Sequence, residues 1–295
     1  MPELTSRAVL KALRASCLGT MALTIALCGQ TNRTPAEELV NFESAPYVLG
    51  QVQQRQAIER GETVARLPRT IEGYLSKPDG AGPFPAIVYL HGCSGLSSAT
   101  RARIGALLTS WGYVSLAVDS FTSRGIKEAC HGGMPPRHAD ALGALLYLSS
   151  LPSVDAKRIA VVGSSQGGIV ALRLASRQSV KLFDIPDDLK FKAAVAYYPL
   201  CGAASKELAL PTIILIGELD DWTPAIDCEQ WMALRAGKGA PVKLVVYPGA
   251  YHAFDVPTLR AGIRLFGHWL KYDADAAARS ISEMHDFLAS QLSTE

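Results

Sequence analysis

Two short runs, Ala86-Ile87-Val88-Tyr89-Leu90 and Ile213-Ile214-Leu215-Ile216, are apolar from end to end. They lack the polar alternation of a strand with one face in water. Such runs read as strands covered on both faces, the pattern of a parallel sheet under helices. Further strand-like runs are Ile71–Ser76, Val114–Val118, Ile159–Val162, Ala193–Tyr197 and Val242–Val246, with an earlier one at Leu39–Phe42. Helix-like stretches lie between most of them: Thr100–Trp111, Arg137–Ser150, Gly167–Ser176 and Cys228–Ala236. Gly112 and Pro152 fit as stops for the first two. Ile281, Met284, Leu288 and Leu292 recur at helical spacing, so the tail packs back on the body as a helix. Alternating strands and helices predict an α/β fold, its mostly parallel central sheet joined by right-handed crossovers with helices on both faces.

Composition narrows the possible partners. The chain is 48% hydrophobic and 19% charged with a net charge of +2, and no basic stripe with interleaved aromatics occurs. Nucleic acid is therefore not an expected partner. No H-E-x-x-H, paired C-x-x-C or nucleotide-binding glycine fingerprint is present, so neither a metal nor a cofactor is expected.

Residues 1–30 read as a secretory signal peptide. Arg7, Lys11 and Arg14 precede the apolar stretch from Ala15 to Cys28, and small and polar residues follow. The stretch is too short for a stable membrane span. A lipid-modified Cys28 is disfavoured by Leu27, where a small residue is normal. Residues 31–295 then form a single domain, exported to the periplasm or secreted. Removing the leader leaves Cys93, Cys130, Cys201 and Cys228, which suggest disulfides and allow three pairings. Cys93–Cys130 and Cys201–Cys228 are favoured, because each joins neighbouring loops at one edge of the sheet.

The chemistry centres on Gly163-Ser164-Ser165-Gln166-Gly167, between the run ending at Val162 and a helix. A serine on so sharp a turn projects its Oγ above the sheet. A serine nucleophile needs a base and a carboxylate to orient it. Candidates follow later strands: Gly217-Glu218-Leu219-Asp220-Asp221 and Tyr251-His252-Ala253-Phe254. The order Ser165, Asp220, His252 is that of an α/β-hydrolase triad. Asp221 is the alternative acid; Glu218 faces solvent or caps its turn, and Asp255 lies just past the histidine. His131 and His138 precede a helix, and His268 and His285 fall in C-terminal helices, as surface or packing residues. The oxyanion requires backbone N–H donors, expected from Gln166 and from Cys93 in the loop His91-Gly92-Cys93-Ser94-Gly95. A Cys93–Cys130 bridge would hold that loop rigid.

These segments, with Asp119-Ser120-Phe121 and Arg124-Gly125, resemble the dienelactone hydrolase family of α/β-hydrolases from about Leu39 to the C-terminus. The resemblance implies the α/β-hydrolase fold, esterase or lactonase activity, and Asp220 as the acid. Three departures stand out. Ser165 replaces the founding members' cysteine. Gly92 stands where their oxyanion loop carries a glutamate. Of their two carboxylate-binding arginines Arg124 could supply one, but Val256 occupies the place of the other. The expected function is an exported serine hydrolase acting on a small-molecule carboxylic ester or lactone. Alternatives are a peptidase or acyltransferase using the same triad, or a non-catalytic binding protein of the same fold.

Overall fold

The computed structural model describes residues 37–48, 55–56, 58–60 and 69–294. The expected leader, residues 1–30, lies outside the described residues. Strands β1 (Glu38–Glu43), β2 (Thr70–Ser76), β3 (Phe84–Leu90), β4 (Val114–Asp119), β5 (Val154–Ser164), β6 (Ala194–Tyr197), β7 (Thr212–Gly217) and β8 (Val242–Tyr247) form one sheet. Its order is β1-β2-β4-β3-β5-β6-β7-β8. The β1–β2 and β2–β4 pairs are antiparallel. Every pairing from β4 through β3, β5, β6 and β7 to β8 is parallel.

Every residue of β4, β6 and β7 is buried, so these strands are covered on both faces, as their apolar sequences require. Each large apolar side chain removed from water in this way contributes about 1.5–3 kcal/mol. The covering helices are α1 (Ser98–Ser110), α2 (Arg137–Ser149), α3 (Gln166–Leu174), the single turn α4 (Arg177–Val180), α5 (Ala225–Arg235) and α6 (Ala274–Leu292). The Ser97 hydroxyl accepts from Thr100 N at the start of α1, and Asp273 accepts from Ala276 N at the start of α6. Helix α6 buries Ala277, Ser280, Met284, Leu288 and Leu292 against the body. The Tyr197 hydroxyl donates to its Ser280 carbonyl at 3.1 Å, tying β6 to this last helix.

A two-stranded antiparallel hairpin, β9 (Ile263–Leu265) and β10 (His268–Leu270), lies between the η-turn at Pro257–Leu259 and α6. It corrects the expectation that His268 lies in a helix; His285 does lie in α6. Phe266 and Gly267 both take positive φ at the hairpin turn, which interrupts any helical path. Both favoured disulfides are present: Cys93–Cys130 and Cys201–Cys228, each with a Cα–Cα distance of 4.9 Å.

The sheet places the site. From β3 the chain crosses to β4 on one side, and β5 pairs on the other side of β3. A crevice opens outside the carboxyl ends of the strands where the winding reverses in this way. The loop after β3 and the turn after β5 flank that crevice, and the loops after β7 and β8 carry Asp220 and His252.

Candidate active site

Ser165 joins β5 to α3 with φ 54° and ψ −117°, a backbone conformation few non-glycine residues adopt. Its N–H donates to the Tyr197 carbonyl at 2.9 Å, which pins the turn to β6. Close approach explains the flanking glycines. A Cβ on Gly163 would sit 2.1 Å from the Gly167 carbonyl oxygen, and one on Gly167 would sit 2.1 Å from the Leu90 carbonyl oxygen. Strand and helix therefore meet only when both positions lack a side chain.

The three residues expected to act together do converge. His252 Nε2 lies 3.0 Å from Ser165 Oγ, and His252 Nδ1 lies 2.7 Å from Asp220 Oδ2. With Nδ1–H donating to the carboxylate, Nε2 presents its lone pair to the serine hydroxyl. Asp220 is oriented in turn by donors from its own loop. Trp222 N and Thr223 N donate to Oδ1 at 3.0 and 2.9 Å, and the Thr223 hydroxyl donates to Oδ2 at 3.0 Å. Asp220 and His252 are both buried. The His252 ring packs against Tyr198 (4.6 Å between centroids) and Trp222 (5.2 Å), which restrict its tilt. Gly217 lets the two loops meet, since a Cβ there would lie 2.3 Å from the Ala250 carbonyl oxygen.

The competing carboxylates are occupied elsewhere. Asp221 Oδ1 accepts from Trp269 N at 3.1 Å and faces His268 Nδ1 at 3.5 Å, so it fastens the β9–β10 hairpin. Glu218 accepts from Gly249 N at 2.8 Å and caps its turn. Asp255 takes the Tyr198 hydroxyl at 2.6 Å and Arg103 Nη2 at 3.2 Å.

Around Ser165 lies a cavity of about 260 Å3, lined in part by His91, Gly92, Cys93, Ser165, Trp222 and His252. Cys93 thus reaches the cavity wall. Gln166 opens α3, where the first backbone N–H groups have no intrahelical acceptor. A Cβ on Gly92 would lie 3.6 Å from Ser165 Cβ, so its absence leaves space beside the serine. His91 is buried, and its Nδ1 donates to the Gly92 carbonyl at 2.6 Å. Burial first, and the nearby Arg137 guanidinium second, push its pKa down to about 3.

Arg124 corrects the expectation of a carboxylate clamp. Its Nη1 and Nη2 bind Asp140 bidentately at 2.8 and 2.7 Å, and Nη1 also donates to the Ser120 carbonyl. The pair is buried, with side-chain exposures of 7% and 0%, and Arg124 does not line the cavity. Val256 does line it, as an apolar residue. Sequence reading missed Arg103, Tyr198 and Arg137. Arg103 and Tyr198 line the cavity, and Arg137 reaches the loop behind it. The one available signal was the charged residue inside a helix-like stretch, as at Arg103 and Arg137. Among the described residues no cluster of three or more histidine, cysteine or acidic side chains has metal-binding geometry, and no helix is long and apolar enough to cross a membrane.

A mostly parallel sheet with Ser165 on a sharp turn after β5, Asp220 after β7 and His252 after β8 is the architecture of an α/β-hydrolase fold. Residues 71–292 match the model of the dienelactone hydrolase family, and the chain belongs to that family. Curated relatives include the acylamino-acid-releasing enzyme of Arabidopsis thaliana. It is 25% identical over 222 residues, covering 59% of this chain and 28% of that protein. Cutinase est1 of Thermobifida alba is 30% identical over 160 residues, covering 52% of this chain and 48% of that protein. The chain thus spans less than half the length of either relative. Among solved structures, the dienelactone hydrolase-like promiscuous phosphotriesterase P91 from metagenomic libraries superposes with a TM-score of 0.59 at 20% identity. The match covers 86% of this chain and 99% of that one, and shows the shared fold.

Proposed function

We propose that the protein is a serine hydrolase that cleaves carboxylic esters or lactones through an acyl-enzyme on Ser165. The observation that carries this reading is the continuous chain Ser165 Oγ, His252 and Asp220, with contacts of 3.0 and 2.7 Å. In the first step His252 Nε2 takes the Ser165 proton as Oγ attacks the carbonyl carbon. The Cys93 and Gln166 N–H groups stabilise the oxyanion. Collapse of the tetrahedral intermediate expels the alcohol, which takes the proton from His252. Water then attacks the acyl-enzyme, with His252 first as base and afterwards as acid, and the carboxylic acid leaves. Asp220 keeps the proton on Nδ1 and stabilises the imidazolium formed in each step.

Membership of the dienelactone hydrolase family and the relative named a cutinase support an ester or lactone substrate. The relative named an acylamino-acid-releasing enzyme keeps a peptidase as the second reading. The deciding measurement is turnover of p-nitrophenyl acetate and of an acyl-peptide by the wild type and by Ser165→Ala. Undiminished ester turnover in the variant rejects the assignment; Ser165-dependent cleavage of the peptide alone favours the peptidase. Two disulfides in the structure support export to an oxidising compartment, with residues 1–30 as the leader.

A further inference from the structure

The lining of the cavity changes character around Ser165. One part is apolar, made by Val256, Leu259, Ile263, Leu265 and Leu270. Another part is a polar cluster outside the triad, made by Tyr89, Ser164, Tyr198, Asp255 and Arg103. It comes from five different places in the chain: β3, the end of β5, the residue after β6, the loop after His252, and α1. The Tyr198 hydroxyl donates to Asp255 Oδ1 at 2.6 Å, and Arg103 Nη2 donates to Asp255 Oδ2 at 3.2 Å. Tyr89 Oη and Ser164 Oγ lie 3.4 Å apart.

The electrical balance of this cluster is informative. Burial raises the pKa of both Tyr89 and Tyr198, so each remains a neutral hydroxyl. Arg103 and Asp255 cancel each other's charge. A carboxylate has about four lone-pair sites, so the contacts from Tyr198 and Arg103 leave Asp255 able to accept from a ligand hydroxyl. A ligand carboxylate would instead meet the Asp255 anion and a guanidinium already neutralised, after losing its own hydration. Neither position expected to clamp a carboxylate serves here, since Arg124 is bound to Asp140 and Val256 is apolar.

We propose that Asp255, Arg103, Tyr198, Tyr89 and Ser164 form a hydroxyl-recognising subsite, selecting uncharged esters or lactones that carry a hydroxyl near the scissile carbonyl over carboxylate-bearing ones. The proposal rests on the ester-hydrolase reading of the same cavity. It predicts an unusual response to charge removal. Asp255→Asn weakens the acceptor for the ligand hydroxyl and leaves Arg103 as an uncompensated cation. Preference then moves from hydroxyl toward carboxylate.

The test compares kcat/KM for the p-nitrophenyl esters of butyrate, 3-hydroxybutyrate and hemisuccinate. The wild type is expected to favour 3-hydroxybutyrate over butyrate by about tenfold, the worth of one hydrogen bond to a charged acceptor, and to use hemisuccinate less well than butyrate. In Asp255→Asn the first ratio falls toward one and the hemisuccinate-to-butyrate ratio rises. If the wild type uses hemisuccinate as well as butyrate, or the variant slows all three esters by one factor, the subsite is rejected. Should Asp255→Asn fail to fold, Arg103→Met supplies the same reading with opposite sign. Its hemisuccinate-to-butyrate ratio falls below that of the wild type, and an unchanged ratio rejects the subsite. Butyrate turnover that depends on Ser165 but shows flat ratios overturns only this proposal. Absence of Ser165-dependent turnover of all three esters overturns the ester reading with it.

Discussion

The Arg137 guanidinium holds the Gln166 side chain, with Nη1 2.9 Å from Gln166 Oε1. Its Nη2 donates to the His91 carbonyl at 2.6 Å, so one buried cation ties together the two loops proposed to supply the oxyanion donors. The chain of contacts continues from Gln166 Nε2 to the Ala129 carbonyl at 3.2 Å, and from Ala129 N to the Cys93 carbonyl at 2.9 Å. Burial lowers the Arg137 pKa to about 10, which still leaves it charged at neutral pH. Arg137→Lys cannot span both acceptors, because an ammonium lacks the guanidinium's planar fork. We expect kcat to fall by roughly 10–100-fold, as small misplacements of a reacting geometry do, with KM nearly unchanged. Steady-state kinetics on a soluble ester checks the split; a rise in KM alone would assign Arg137 to ground-state binding instead.

The two disulfides have different neighbours, so their removal separates stability from activity. Cys93 lines the cavity, whereas Cys201 and Cys228 are wholly buried, Cys228 within α5 and Cys201 in the turn after β6. The bridged residues are 37 and 27 apart in sequence. Loop entropy at those lengths amounts to about 4 kcal/mol for each bridge. The paired Cys201→Ala and Cys228→Ala change is expected to lower Tm by about 5–10 °C while leaving kcat within about threefold at 20 °C. Cys130→Ser is expected to lower both Tm and kcat, because it frees the loop bearing Cys93. Calorimetry and kinetics on the same samples decide; equal kcat losses in the two variants contradict the assignment of Cys93.

Sequence alone exposed those parts of the molecule whose signals are local. Strands β3 and β7 were legible because an apolar run covered on both faces has no polar interruption. The proposed triad was legible because Ser165, Asp220 and His252 each fall in the loop or turn that follows a strand of their own. Short and shared features were not. Strands β9 and β10 are three residues each and include Arg264 and His268, too little alternation to distinguish from a polar connection. The cluster of Arg103, Tyr198 and Asp255 joins residues 57 and 152 positions apart, and only the folded sheet brings them together. The resemblance alone leaves Arg124 open as a ligand clamp, because its buried partner, Asp140, lies on the following helix, 16 residues away, and no local pattern pairs the two.

His91 ties stability to pH. Its pKa in the folded protein is about 3, against an unfolded value near the usual 6.5. The native state therefore refuses a proton that the unfolded chain accepts between those values. Stability is fully present above about pH 6.5 and falls as pH drops toward about 3, with a slope of about 1.4 kcal/mol per unit inside the window. His138, lowered to about 4 by burial, adds in the same direction. Urea unfolding of the wild type and His91→Gln at several pH values from 4 to 7 tests this. The variant's stability is expected to depend on pH less steeply by about one proton; parallel curves would mean that His91 titrates normally.

The proposed acid, Asp220, can be separated from its neighbour. Asp220 Oδ2 lies 2.7 Å from His252 Nδ1, whereas Asp221 accepts from the Trp269 backbone. Asp220→Asn is expected to cut kcat by about 10,000-fold, since an amide favours the wrong imidazole tautomer. Asp221→Asn loosens only the hairpin fastening and should keep kcat within about fivefold. Comparable losses in the two variants would place the acid at neither residue alone.

The Arg124–Asp140 pair gives the clearest contrast between a structural and a ligand-binding arginine. Both guanidinium nitrogens that contact Asp140 are engaged, at 2.8 and 2.7 Å, and Asp140 is fully buried. Removing one partner leaves an uncompensated charge in the interior, which costs about 3–5 kcal/mol. Arg124→Ala is therefore expected to lower the urea midpoint sharply. A folded sample, studied at low temperature, should lose the same fraction of kcat/KM toward neutral and carboxylate-bearing esters. Replacing both partners with apolar residues, as Arg124→Met with Asp140→Leu, should recover part of the lost stability, because the paired charges leave together, although the buried Arg137 then loses the attraction of Asp140 along with the repulsion of Arg124. A selective loss toward the carboxylate ester, with stability intact, would instead return Arg124 to the substrate.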